Sequence, residues 1–152
     1  MLAAFGLPQH QSSAGDSLLD ILAAQNAVRS RAGVPLLTWS NQLASVARDW
    51  AASLLRSGTM SHRPANKYGE NIFEIHGSKA SPAQVVGIWA AEAKDYDPTK
   101  NTCREGKVCG HYTQLVWRRT KQVGCAVGRG GGREVWVCNY DPPGNWAGQR
   151  PF

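Results

Sequence analysis

The end of the chain constrains the fold most. Val123–Val127 and Val135–Cys138 are β-branched runs on either side of Arg129-Gly130-Gly131-Gly132-Arg133. Such runs around a glycine turn predict an antiparallel hairpin. The turn centres near Gly131-Gly132, so Cys125 and Cys138 lie about equally far from it. Opposed residues of an antiparallel pair have Cα atoms about 4.5–5.5 Å apart, within disulfide reach. Of the pairings that four cysteines allow, this geometry selects Cys125–Cys138 and leaves Cys103–Cys109 to close a small loop. An even, clustered cysteine count belongs to an oxidising compartment. No two cysteines have CxxC spacing, which disfavours zinc held on sulfur.

A length of 152 residues allows one domain. With 42% hydrophobic and 18% charged residues, the chain is globular rather than disordered. No apolar run approaches the ~20 residues of a membrane span, which excludes an integral membrane protein. The net charge is +6, and from Lys100 to Arg133 eight basic residues face a single acid, Glu105. Such a face attracts an acidic lipid or wall polymer, or simply keeps the chain soluble. Nucleic acid is not indicated, because there is no finger spacing and no helix-turn-helix signature. The opening MLAAFGL is too short for a full secretory leader, so the expectation is a mature protein whose leader has been removed. Residues 1–15 read as a flexible arm and 16–152 as a single, monomeric domain.

Three helices are predicted. Leu18, Ile21, Leu22 and Val28 share a face, with Asp16 or Ser17 as cap and an end near Arg31. Ser40 caps a second helix with Leu43, Val46, Ala47, Trp50 and Leu54 on one stripe, closed by Gly58. A turn-rich segment, His62 to Gly69, leads into a strand near Asn71–Ile75. Ser81-Pro82 starts a third helix whose buried stripe is Val85, Ile88, Trp89 and Tyr96. Gly110–Arg118 fits a short helix or a strand equally well. Helices on both sides of a mainly antiparallel sheet make an α+β sandwich.

Glu92 is the first residue that looks chemical. It falls at i+3 from Trp89 and i−4 from Tyr96, on an apolar stripe. A carboxylate there is costly unless it is paired, hydrogen-bonded, at a cleft or able to reach water. His62 lies in a turn, Glu70 between Gly69 and Asn71, and His111 between Gly110 and Tyr112. Two histidines and two glutamates are the residue types of a divalent-metal site, though no pair has the i,i+4 spacing of a zincin helix. No serine elbow, phosphate loop or dinucleotide fingerprint is present.

GHYTQLVW (Gly110–Trp117) and CNYDPPGNW (Cys138–Trp146) resemble the two signature motifs of the CAP superfamily, which spans cysteine-rich secretory, antigen 5 and pathogenesis-related class-one proteins. Gln25-Asn26…Arg29, Pro35–Trp39, Ser61-His62, Tyr68-Gly69-Glu70-Asn71 and Trp89…Glu92 fall in matching order. The likeness is closest to the pathogenesis-related class-one branch and bacterial single-domain relatives. It implies a three-layer α-β-α sandwich with a cleft lined by His62, Glu70, Glu92 and His111, where His62 and His111 hold zinc or another divalent ion. It implies a secreted, extracellular protein (periplasmic in a bacterium) that binds lipid, sterol or an anionic cell-surface ligand and has antimicrobial action, with no established catalysis. Two further implications are a metal-dependent hydrolase with Glu70 or Glu92 as general base, and a precursor of a signalling peptide, 142–152. A plainer reading of that tail is that it packs Trp146 against the sandwich.

Overall fold

In the computed structural model, which describes residues 14–152, the chain runs α1 (Ala14–Ala32), β1 (Thr38–Trp39), α2 (Asn41–Ser57), β2 (Gly69–His76), α3 (Pro82–Ala90), a 3-10 turn (Ala91–Asp95), β3 (Tyr96–Asp97), β4 (Thr102–Cys103), α4 (Gly110–Leu115), β5 (Gln122–Gly130) and β6 (Arg133–Asp141). The expected arm lies outside the described residues apart from Ala14 and Gly15, which begin α1. Asp16 and Ser17 therefore sit within the first turn of that helix rather than capping it.

The glycine hairpin forms as β5 and β6, joined by Gly131 and Gly132, both at positive φ (58° and 72°). That backbone matches the twist of the flanking strands and is open to glycine at little cost. Cys125 opposes Cys138, with Cα atoms 4.1 Å apart, and the two are bonded; Cys103 is bonded to Cys109. The sheet order is β1-β5-β6-β2. Only the two-residue β1 runs parallel, against β5, so the sheet is mixed rather than purely antiparallel.

Strand alternation builds the two cores. On β6, Val135 and Val137 join Ala47, Ala51 and Leu54 of α2, while Trp136, Cys138 and Tyr140 point to the other face among Ile21, Val85, Trp89 and Leu115. The result is three layers: α2, then the sheet, then α1, α3 and α4. Ser40 and Gly58 cap α2 as its sequence predicts, Gly58 at φ 67°. Ser81 and Gln84 close a capping box on α3.

Two predicted stripes shift. On α1 the fully buried positions include Gln25 and Arg29 beside Ile21 and Val28, while Leu18 and Leu22 are only half-buried. The third helix stops at Ala90, so Ile88 is 53% exposed, Glu92 lies in the 3-10 turn and Tyr96 in β3. The tighter turn lets Glu92 reach the backbone of α4, a hydrogen-bonding demand that apolar periodicity does not report. The ambiguous segment after Gly110 is helical.

The tail is held, but not by Trp146, which is 57% exposed. Asn145 donates to the Gly110 carbonyl at 2.8 Å, Gly144 N–H donates to Gln114 at 3.0 Å, Arg118 N–H donates to the Pro151 carbonyl at 2.7 Å, and Arg150 donates to the Thr99 carbonyl at 3.0 Å. Hydrogen bonds fix this segment where an aromatic anchor was expected.

Arg29 is a charged group taken out of water by the fold. Fully buried, its guanidinium donates to the carbonyls of Pro35 (2.6 Å), Leu115 and Trp117 (both 2.9 Å) and Thr120 (3.1 Å). Arg29→Ala strips donors from four carbonyls and leaves a cavity, so we expect about 3–5 kcal/mol of lost stability in a denaturant titration. A loss under about 1 kcal/mol would show that water replaces the guanidinium freely.

Candidate functional site

Two imidazole–carboxylate pairs flank the junction of β2 and α4. His62 Nδ1 lies 2.8 Å from Glu70 Oε1, and His111 Nδ1 lies 2.6 Å from Glu92 Oε1. An ionised carboxylate only accepts, so each Nδ1 carries the proton and each Nε2 keeps its lone pair when the ring is neutral. The His62 side chain is 65% exposed and its Glu70 partner 4%; for His111 and Glu92 the values are 27% and 16%. The carboxylates are thus the buried props and the imidazoles the presented groups.

Each prop is itself fixed. Glu70, the second residue of β2, also accepts from the Arg63 N–H at 3.1 Å and from Asn66 at 3.2 Å. Glu92 also accepts from the Tyr112 N–H at 2.9 Å. Trp89 stacks parallel to the His111 ring, 6.0 Å between centroids, with its indole N–H on the Ile72 carbonyl. Carboxylates committed to several donors suit orienting a ring better than abstracting a proton.

Asn71 ties the pairs together. It follows Glu70 on β2 and donates to the His111 carbonyl at 3.1 Å and to the Tyr140 hydroxyl at 3.4 Å. Tyr140 in turn donates to Gln25 at 2.9 Å. Full burial raises the Tyr140 phenol well above its ordinary value, so it stays neutral. Gly69 lets β2 pass beneath α4, because a Cβ there would sit 2.1 Å from the Gln114 side-chain oxygen.

The structure therefore brings His62 to Glu70 and His111 to Glu92. Among the described residues no three His, Cys, Asp or Glu side chains converge as a metal cage. The open cavity of about 290 Å³ at His62 is lined by Glu70, Asn66, Gln114 and Asn145, not by Glu92 or His111. Sequence reading gave no role to Asn66, Asn71 or Gln114. Asn71 stood next to a candidate glutamate, within the family-like segment Tyr68-Gly69-Glu70-Asn71.

A three-layer sandwich carrying two such pairs beside a tethered short helix defines a small class of domains. The sequence model of the CAP, cysteine-rich secretory protein family matches residues 22–140, and the chain belongs to that family. It is 44% identical over 142 residues to a pathogenesis-related protein of PR-1 type from Sambucus nigra, spanning 93% of this chain and 85% of the relative. To pathogenesis-related protein 1A of Nicotiana tabacum it is 42% identical over 152 residues, spanning 99% and 90%. Among solved structures, the crystal structure of NaASP2 with Zn2+ superposes with a TM-score of 0.74 at 22% identity, over 97% of this chain and 90% of that one.

Hydrogen bonding to Glu70 raises the pKa of His62 above the ordinary imidazole value, against the opposing effect of burial. The charged form is the one stabilised. The contribution of the pair to stability is therefore complete below the unfolded-state pKa and lost as pH rises through the folded one. An NMR titration of the His62 ring is expected to give a midpoint above that of a free histidine, returning toward it in Glu70→Gln. An unchanged midpoint in the variant would remove Glu70 as the cause.

Proposed function

We propose that the protein is a secreted defence-type binding protein that takes an amphiphilic ligand in an apolar cavity and holds a divalent ion at its histidine pairs. The family name and the pathogenesis-related relatives support the defence setting. Two disulfides fit an oxidising, extracellular compartment. Among the described residues no helix is long and apolar enough to cross a membrane.

The observation that carries the metal reading is the carboxylate oxygen set against Nδ1 in both pairs. A carboxylate on Nδ1 fixes the ring and turns Nε2 outward, which is how histidine ligands of zinc are usually oriented. The donor set fits zinc: His62 and His111 would be the ligands, and Glu70 and Glu92 their supports. The bound ion would supply a Lewis-acidic point for an oxygen of the ligand. Two imidazoles without a third protein ligand make a weak, exchangeable site. NaASP2, of like fold, is described with Zn2+.

The observation that carries the amphiphile reading is a cavity of about 440 Å³ between β2 and α3, lined by Phe73, Ile75, Gly87, Ile88 and Ala91 with Lys79 at its edge. A second cavity, lined by Val28, Ala32, Ala90, Ala93 and Tyr112 with Arg31, is smaller at about 190 Å³. Ile88 is the residue the core released, and here it has a use. The exposed Lys79 ammonium complements an anionic head.

Calorimetry at neutral pH is expected to show zinc binding that His62→Ala and His111→Ala each abolish; equal binding by the double variant would refute the metal site. A fluorescent fatty acid or sterol is expected to bind saturably, and Ile88→Glu to weaken it by about tenfold, since a carboxylate in an apolar pocket costs more than a lost contact. Zinc binding should be untouched in that variant. Unaltered lipid binding would refute the cavity and leave the metal site standing.

A further inference from the structure

We propose that the pocket between the C-terminal tail and α4 binds a neutral saccharide. This pocket, of about 310 Å³, is lined by Asn101, Thr113, Trp117, Asn145, Trp146 and Gln149 together with glycine and proline backbone. Its size is near the lower end of the about 300–1,000 Å³ of small-molecule sites. No ionisable side chain lines it, in a chain whose net charge is +6. An anion finds no cation here, and a lipid tail finds no apolar depth.

Trp146 supplies a platform. Its indole N–H already donates to the Pro143 carbonyl at 3.0 Å, so the polar edge is satisfied and the ring is fixed while 57% of the residue stays exposed. The turn that presents it is closed by the Gln149 N–H on the Trp146 carbonyl at 3.0 Å, with Gly148 at φ 75°. An aromatic face carries partial negative charge and attracts the C–H face of a sugar ring.

The amides supply the rim. Asn145 gives one N–H to the Gly110 carbonyl (2.8 Å) and accepts from Thr113 (2.6 Å). Asn101 gives one N–H to the Gln149 carbonyl (3.2 Å) and accepts from Tyr96 (2.7 Å). Each primary amide has two N–H donors and two acceptor lone pairs, so both asparagines are held in place with one of each to spare. Gln149 is exposed, and among the described residues only its backbone groups bond within the protein. Paired donors and acceptors around an aromatic plane complement sugar hydroxyls, which donate and accept from one atom. Asn101 and Asn145 both stand at positive φ (54° and 59°), a conformation that non-glycine residues adopt rarely and that these bonds hold. Asn145 also lines the cavity at His62, so the two pockets adjoin at this residue.

The test is titration of the whole protein with neutral oligosaccharides, the hexamers of β-1,3-glucan, β-1,4-glucan and chitin, read by tryptophan fluorescence and calorimetry. At least one is expected to bind saturably, with an affinity unchanged between about 0.05 and 0.5 M salt because no charge meets the ligand. Trp146→Ala and Gln149→Ala are each expected to weaken it by about tenfold. Their melting temperatures should match the wild type, since neither side chain is buried. The proposal is overturned if none of the three saturates, if Trp146→Ala binds as the wild type does, or if affinity falls steeply with salt, which would assign binding to the basic surface instead.

Discussion

A single buried cation organises the helical layer that carries the site. Among the described residues the Arg29 guanidinium meets no carboxylate, and four backbone carbonyls take its place. Burial pushes its pKa down to about 10, leaving it charged at any physiological pH. Two of those carbonyls, Leu115 at the end of α4 and Trp117 two residues beyond it, lie where a helix leaves its acceptors unpaired and favours positive charge. One residue thus joins α1, the Pro35 turn, α4 and the approach to β5. With only six residues α4 cannot hold its own shape. Arg29 grips one end of it, and Asn71 and Glu92 hold the other.

That grip matters because α4 carries His111. A thread of buried polar groups runs from Gln25 through the Tyr140 hydroxyl and Asn71 to the His111 carbonyl, while Glu70, beside Asn71, props His62. The Cys125–Cys138 bond ties β5 to β6, the strand that carries Tyr140, and Gln25 Nε2 lies 3.5 Å from both of its sulfurs. The tail then closes the open side of α4 through Gln114, Thr113 and the Gly110 carbonyl. Scaffold and site are the same hydrogen-bonded network. The apolar cavity at Ile88 and the amide-lined pocket at Trp146 lie on other faces of the same helices.

What could be read from the sequence followed the strength of local signals. The glycine hairpin, its cross-strand disulfide, the Ser40 and Ser81 caps and the α2 stripe rest on short-range chemistry and were readable. Glu92 on an apolar stripe was visible as an anomaly, and its partner came only from family resemblance. Arg29 and Gln25 were hidden because their partners lie on distant segments and are mostly backbone carbonyls and a tyrosine, which no side-chain pattern advertises. Trp146 misled because aromatic content argues for burial, whereas its indole N–H is satisfied locally and the tail is held by amides. The end of α3 was misplaced because the demand of Glu92 for α4 backbone outweighs periodicity.

Under the proposed metal reading, this network sets His62 and His111 as a pair able to share one ion. Anomalous diffraction from crystals soaked in zinc tests it most directly. The account predicts one peak bonded to the Nε2 atoms of both His62 and His111, with Glu70 and Glu92 still on the two Nδ1 atoms. Separate peaks on the two rings, a peak on Nδ1, or zinc only at other surface residues would contradict it.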